Sequence, residues 1–221
     1  MTFSFPVISA DSHITEPPDC YTAHIDPAWR DRAPHMVSDD ARGDMFVIPG
    51  MSRPIAMGLV AAAGKPAEEL TVSGVSFDEL HRSGWDANYR IADQQRDGVA
   101  AEVIYPTVGM MICNHPDADF ARAAFAAYNR WIADYCSVAP DRLLGCGQTA
   151  LRSVDEGIAD LQRIADLGLR GVMMPGEPAT WSEDGSGDYD DPMWDPFWQA
   201  AIDLGLPLSF HILTSRASAF E

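Results

Sequence analysis

Two positions apart in the stretch VISADSHITEPP (7–18) stand a carboxylate, Asp11, and an imidazole, His13. They follow the apolar run VISA (7–10), which reads as a short buried strand. Residues i and i+2 on a strand project to the same face, so both side chains point one way at the strand's C-terminal end. A carboxylate and an imidazole converging there suit a divalent cation such as Zn2+. Taken alone, the triplet fits a capping carboxylate beside a hydrogen-bonded histidine as well. His211 adds a second strand end, because it closes the apolar run LPLSF (206–210). Asp11, His13 and His211 are therefore the candidate metal ligands.

The other histidines fall in less suggestive settings. His24 and His35 sit in Pro- and Asp-rich sequence read as loop, and His81 precedes a helix. His115, in CNHPDAD, follows the second strand and is the best of the four for touching a substrate. Glu16 reads either as a further acid beside the ligands or as a residue of a Pro-Pro turn. The acidic, aromatic stretch 182–198 reads as a solvated loop with a hydrophobic anchor, or as a pocket lining. No G-x-S-x-G is present, and none of the four cysteines sits in a C-x-x-C pair or beside a histidine that would activate it. Reduced thiols and a cytoplasmic setting are expected.

Positioning these residues requires regular elements, and period and punctuation supply them. Strands are expected at 7–10, 99–106, 142–151, 169–175 and 206–212. Helices are expected at 85–98, 116–140, 153–168 and 191–205. Gly98, Gly168 and Gly205 act as stops, and Ser153 with Glu156 forms a capping box. Strands alternating with helices imply right-handed crossovers and a parallel sheet, either doubly wound or closed as a (β/α)8 barrel. No G-x-G-x-x-G follows a strand, which counts against a dinucleotide-binding sheet. In a barrel, Asp11, His13 and His211 share the rim where active sites are built. Residues 14–84 are too long for one loop. They read as an insertion after the first strand, with a hairpin in DMFVIPGMSRPIAMG (44–58) turning at Pro-Gly.

Composition bounds the partners. The 221 residues carry 15 Lys+Arg against 33 Asp+Glu, a formal net charge of −18, which argues against nucleic acid and anionic membrane. With 47% hydrophobic and 10% aromatic residues the chain can bury a core. The N-terminus has no basic segment or apolar run of signal-peptide length, and the most apolar stretch, IAMGLVAAAG, is too short to span a bilayer.

The stretches ISADSHITEPPD, DGVAAEVIYPTVGM, YNRWIADYCSVAPDRLLG, LGLRGVMMP and DPMWDPFWQAAIDLGLPLSFHI, taken in order, are far more specific than any one triplet. Through them the chain resembles the amidohydrolase-related family that includes aminocarboxymuconate semialdehyde decarboxylase and the hydroxybenzoate-type decarboxylases. The resemblance implies a (β/α)8 TIM barrel of the metal-dependent hydrolase type holding one divalent metal ion, zinc first and Mn2+ as the alternative. It carries the first-strand ligand pair onto Asp11 and His13 and the fifth-strand histidine onto His211. The sixth-strand histidine and eighth-strand aspartate that the family uses near the substrate would lie beyond residue 221. Only the first five strands are therefore expected, in one domain incomplete at its C-terminus.

The implied function is non-oxidative decarboxylation of a carboxylated aromatic or muconate-like acid. A metal-dependent hydrolase of a lactone, ester or amide on the same barrel is the second reading, and an inactive truncated fragment the third. The expected partner is a small carboxylic acid, with a homodimer as an option.

Overall fold

The computed structural model describes residues 5–60, 62–178 and 188–215. Five parallel strands form one sheet in the order β1-β5-β6-β7-β8: Val7–His13, Val99–Tyr105, Leu143–Gln148, Gly171–Met174 and Leu208–Phe210. Each strand pairs with the next one of the sheet, as in the first five strands of a TIM barrel. In a flat sheet β1 and β8 would be four strand spacings, about 19 Å, apart. Instead the His13 and His211 side chains meet at 3.1 Å, so the sheet is curled into a half-barrel.

The crossovers are helical. α1 (Ala87–Asp97), α3 (Ala118–Cys136), α4 (Val154–Asp166) and α5 (Asp195–Leu204) each occupy a segment the periodicity marks as helix. Asp86 and Asp117 cap α1 and α3 by accepting the N–H of Asn88 and Phe120. Gly98 and Gly205 stop α1 and α5 at φ of 71° and 65°, values that a side chain would resist. The capping box is half formed. Ser153 accepts the Glu156 N–H, but the Glu156 carboxylate turns to Arg152, a charge-assisted bidentate pairing stronger than a bond to the cap's own amide. The buried face of α3 includes Phe120, Ala124, Ala127 and Tyr128, packed against β6.

Two elements depart from expectation. Residues 35–39 form a strand, β2 (His35–Asp39), which joins β3 (Gly43–Val47) and β4 (Ile55–Ala56) in a separate antiparallel sheet. His35 thus opens a strand and is not in a loop. The expected hairpin is present, with Met51 N–H donating to Ile48 O across a turn in which Gly50 has φ 98°. The second is α2 (Val108–Ile112), five residues directly after β5, too short to show a period. Of the acidic aromatic stretch 182–198, residues 182–187 lie outside the described residues. Beyond them, Tyr189 donates to Pro175 O and stacks among Trp194, Trp198 and Phe210, a hydrophobic anchor.

Candidate metal centre

β1 reaches the rim through a bulge. Ser9 pairs with Glu102 and Ser12 with Ile104, so three steps on β1 face two on β5. The Ser9 and Ser12 hydroxyls consequently meet at 2.8 Å, although three residues apart, and Ser12 also bonds Glu102. Asp11 and His13, between and beyond them, turn to the concave side.

There three donor atoms converge. His13 Nε2 lies 3.1 Å from His211 Nε2, and Asp11 Oδ1 lies 3.3 Å from each. A triangle of those edges has a circumradius of about 1.9 Å, so one ion at about 2.0–2.1 Å from all three atoms fits. Hydrogen bonds decide what these atoms present. His13 Nδ1–H donates to Pro106 O at 2.8 Å and His211 Nδ1–H to Ile212 O at 3.0 Å. With Nδ1–H so engaged, each ring turns Nε2 to the common point, where the Asp11 carboxylate also points. Three such atoms facing one another repel unless a cation or a proton shared between them sits at the common point. Burial, with the neighbouring His211 ring, lowers the His13 pKa against the opposing pull of Pro106 O and Asp11, which favours the neutral, ligand-competent ring. Asp11 is the exposed member, with 70% of its side chain accessible, and His211 is the most enclosed at 12%.

The surroundings hold His13 in place. Buried Arg90 of α1 donates to the His13 carbonyl oxygen at 2.9 Å and pairs with Glu102 at 2.5 Å. Gln94 donates to the same carboxylate. Beneath the site, the Tyr105 ring lies 5.2 Å from the His211 ring and 6.0 Å from the His13 ring. Its hydroxyl donates to Ser209 across the sheet. An open groove of about 900 Å3 includes His13, His211, Thr107 and Met110 in its lining.

Of the sequence candidates, the structure brings Asp11, His13 and His211 together and leaves His115 apart. His115 is 2% exposed. Its Nδ1 accepts the Asp117 N–H, its Nε2–H donates to Pro49 O, and its ring stacks on Phe120. A Cβ on Gly50 would come within 2.5 Å of that ring. His115 so ties the β3–β4 turn to the start of α3, a setting that offers a substrate little access. His81 is paired with Asp93 at 2.6 Å. Glu16 is 1% exposed and accepts three backbone N–H groups, from Thr107, Val108 and Gly109. Arg90 and the Pro106 carbonyl were not singled out from sequence, and only the strand pairing reveals them.

Comparison with known proteins agrees with this architecture. The amidohydrolase family profile matches residues 22–220, so the chain belongs to that family. Among curated relatives, 2-amino-3-carboxymuconate-6-semialdehyde decarboxylase of Dictyostelium discoideum is 27% identical over 144 residues, 65% of this chain and 38% of that protein. Among solved structures, an amidohydrolase of Mycobacterium avium subsp. paratuberculosis superposes with a TM-score of 0.74 at 19% identity, over 96% of this chain and 60% of that one. The 5-carboxyvanillate decarboxylase of Novosphingobium aromaticivorans, solved with manganese, superposes at 0.58 and 20% identity, over 99% and 54%. The chain thus spans about two fifths to three fifths of the length of these relatives. Among the described residues no helix is long and apolar enough to cross a membrane.

Proposed function

We propose that the chain forms the ligand-bearing part of a metal-dependent non-oxidative decarboxylase acting on a hydroxylated aromatic or muconate-like carboxylic acid. The observation that carries the metal is the triangle of Asp11 Oδ1, His13 Nε2 and His211 Nε2, with both imidazole Nδ1 hydrogens already engaged. Two imidazoles and a carboxylate suit Zn2+ first and accept Mn2+. The decarboxylases among the relatives support the reaction class. When bound, the cation would draw in the anionic substrate and stabilise negative charge that develops as CO2 departs. This chain's residues would do the rest of the positioning. Asp11, His13 and His211 would hold the ion, the Tyr105 ring would brace both imidazoles from below, and Thr107 and Met110 would form one wall of the approach.

The test is equilibrium binding of zinc and manganese to the purified protein, followed by a substrate panel. One equivalent of metal is expected, and, where the sixth-strand histidine and eighth-strand aspartate that the resemblance implies are also present, CO2 release from hydroxybenzoates or muconate-type acids with no cleavage of lactones, esters or amides. Failure to bind metal would overturn the site. Metal binding with hydrolysis and no CO2 would overturn the reaction.

A further inference from the structure

Glu16 is the one carboxylate among the described residues that is fully buried, and the proposed reaction makes no use of it. Its two oxygens are occupied. Oε1 accepts from Thr107 N–H at 3.0 Å and from Gly109 N–H at 3.1 Å, and Oε2 accepts from Val108 N–H at 3.0 Å. Burial pushes the carboxyl pKa up, and the three backbone donors pull it back. A carboxylate enclosed in this way is a poor ligand or proton carrier. It is well suited to fix the backbone that surrounds it.

The backbone it fixes is the one that orients His13. Thr107 N–H and Pro106 C=O are the two ends of a single planar peptide unit, and no peptide bond in the described chain is cis. In a trans unit the N–H and C=O point in opposite directions. Holding the N–H on Glu16 therefore aims the C=O away from Glu16, and that carbonyl accepts His13 Nδ1–H at 2.8 Å. Glu16 is itself braced. Pro17 and Pro18 follow it and restrict its backbone. The Thr107 hydroxyl donates to Ile14 O, tying the same two loops a second time. Hydrogen bonds in series also polarise one another, so the acceptor held on the amide end makes the carbonyl end a stronger acceptor.

We propose that Glu16 is a positioning residue for the metal centre, acting through the 106–107 peptide to lock His13 as the Nδ1–H tautomer with its Nε2 lone pair on the site. The chain of contacts runs carboxylate, peptide, imidazole, metal. It places a peptide unit between the carboxylate and the imidazole, which commonly touch directly in metal sites. The inference rests on the metal reading for its purpose, but not for its test.

The test reads the His13 ring without metal. Nitrogen-15 NMR of the imidazoles in the metal-free protein is expected to show His13 as a single Nδ1–H tautomer. Glu16→Gln keeps size and shape but removes the charge and leaves at least one backbone N–H facing an NH2 group. Glu16→Ala removes every bond. His13 is expected to shift toward a mixture of tautomers in Glu16→Gln and further in Glu16→Ala. Should Glu16→Ala fail to fold, Glu16→Gln decides alone. His115→Gln loosens a neighbouring buried tie and serves as the control, expected to leave the His13 tautomer unchanged. In parallel, zinc affinity by chelator competition should fall about 10- to 100-fold in Glu16→Gln. An unchanged tautomer in Glu16→Gln, or an equal shift in the His115→Gln control, overturns the proposal. If the wild-type protein takes up no zinc, the metal reading fails while the tautomer comparison still decides the role of Glu16.

Discussion

His13 is held at three points: its carbonyl by Arg90, its Nδ1 by Pro106 and its ring by contact with the Tyr105 and His211 rings. Such a residue has one rotamer and one tautomer to offer, which lowers the cost of organising it around an ion. His13→Ala is therefore expected to abolish stoichiometric metal binding, because a site with three protein donors tolerates little subtraction. Asp11→Asn should weaken binding less, since Asp11 is the most exposed of the three and keeps one oxygen donor. His24→Ala should change nothing. Metal analysis after equilibrium dialysis checks all three, and wild-type metal content in His13→Ala would refute the assignment. His115→Ala belongs to a different class. It strands Pro49 O and the Asp117 N–H in a part-buried place, so a loss of about 1 kcal/mol, the lower end for an unmade bond, is expected in urea denaturation with metal uptake intact. The contrast explains what was legible at this scale. The convergence of Asp11, His13 and His211 was legible because a strand end declares itself through the apolar run before it. The role of His115 could not, because its partner carbonyl belongs to a turn 66 residues away.

At the scale of elements, α1, β5 and β1 are joined by one charged cluster. Arg90 from α1 meets Glu102 from β5, with Gln94 and Ser12 on the same carboxylate. Arg90 and Glu102 are almost fully enclosed, with side chains 8% and 15% accessible. Removing one partner leaves a charge stranded, so Arg90→Met should cost about 3 kcal/mol, the lower end for a buried pair because Glu102 keeps some solvent. The double variant Arg90→Met, Glu102→Leu should recover part of that loss. Chemical denaturation measures both, and a double variant less stable than Arg90→Met alone would contradict the pairing. The crossover helices and the parallel strands were readable from the sequence, because α1, α3, α4 and α5 show an apolar period, three of them are followed by a stopping glycine, and each strand holds an apolar run. β2 and α2 were not. β2 has no more than a weak alternation and is defined by its partner β3, whereas the N–H groups at the start of α2 are satisfied by Glu16, a residue 91 positions upstream of Thr107. Elements stabilised from outside themselves leave no local signature.

Among the described residues the parallel strands form an open, curled sheet, a form that proteins usually cover on both faces or close into a barrel. Among the described residues, β1 and β8 each pair on one side only. Large apolar side chains line both margins: Val7 and Ile8 are 60% and 54% exposed on β1, and Phe210 and Ile212 are 58% and 72% exposed at β8. Unpaired backbone groups beside exposed apolar side chains favour association. The net charge of −18 opposes it, because two copies repel one another at long range. The two forces respond differently to salt. Apolar burial survives screening, while repulsion fades as the Debye length falls from about 30 Å at 0.01 M to about 8 Å at 0.15 M. The 221-residue chain is therefore expected to self-associate more strongly at physiological than at low ionic strength, the opposite of a complex held by salt bridges. Ile8→Lys, placing a cation on the β1 margin, should reduce that association without removing any donor of the Asp11, His13 and His211 triangle. Sedimentation velocity across a salt series measures the effect. A monomer at every salt and concentration would mean that the margins are self-sufficient, since nothing else in the charge balance would keep exposed isoleucine and phenylalanine apart once repulsion is screened.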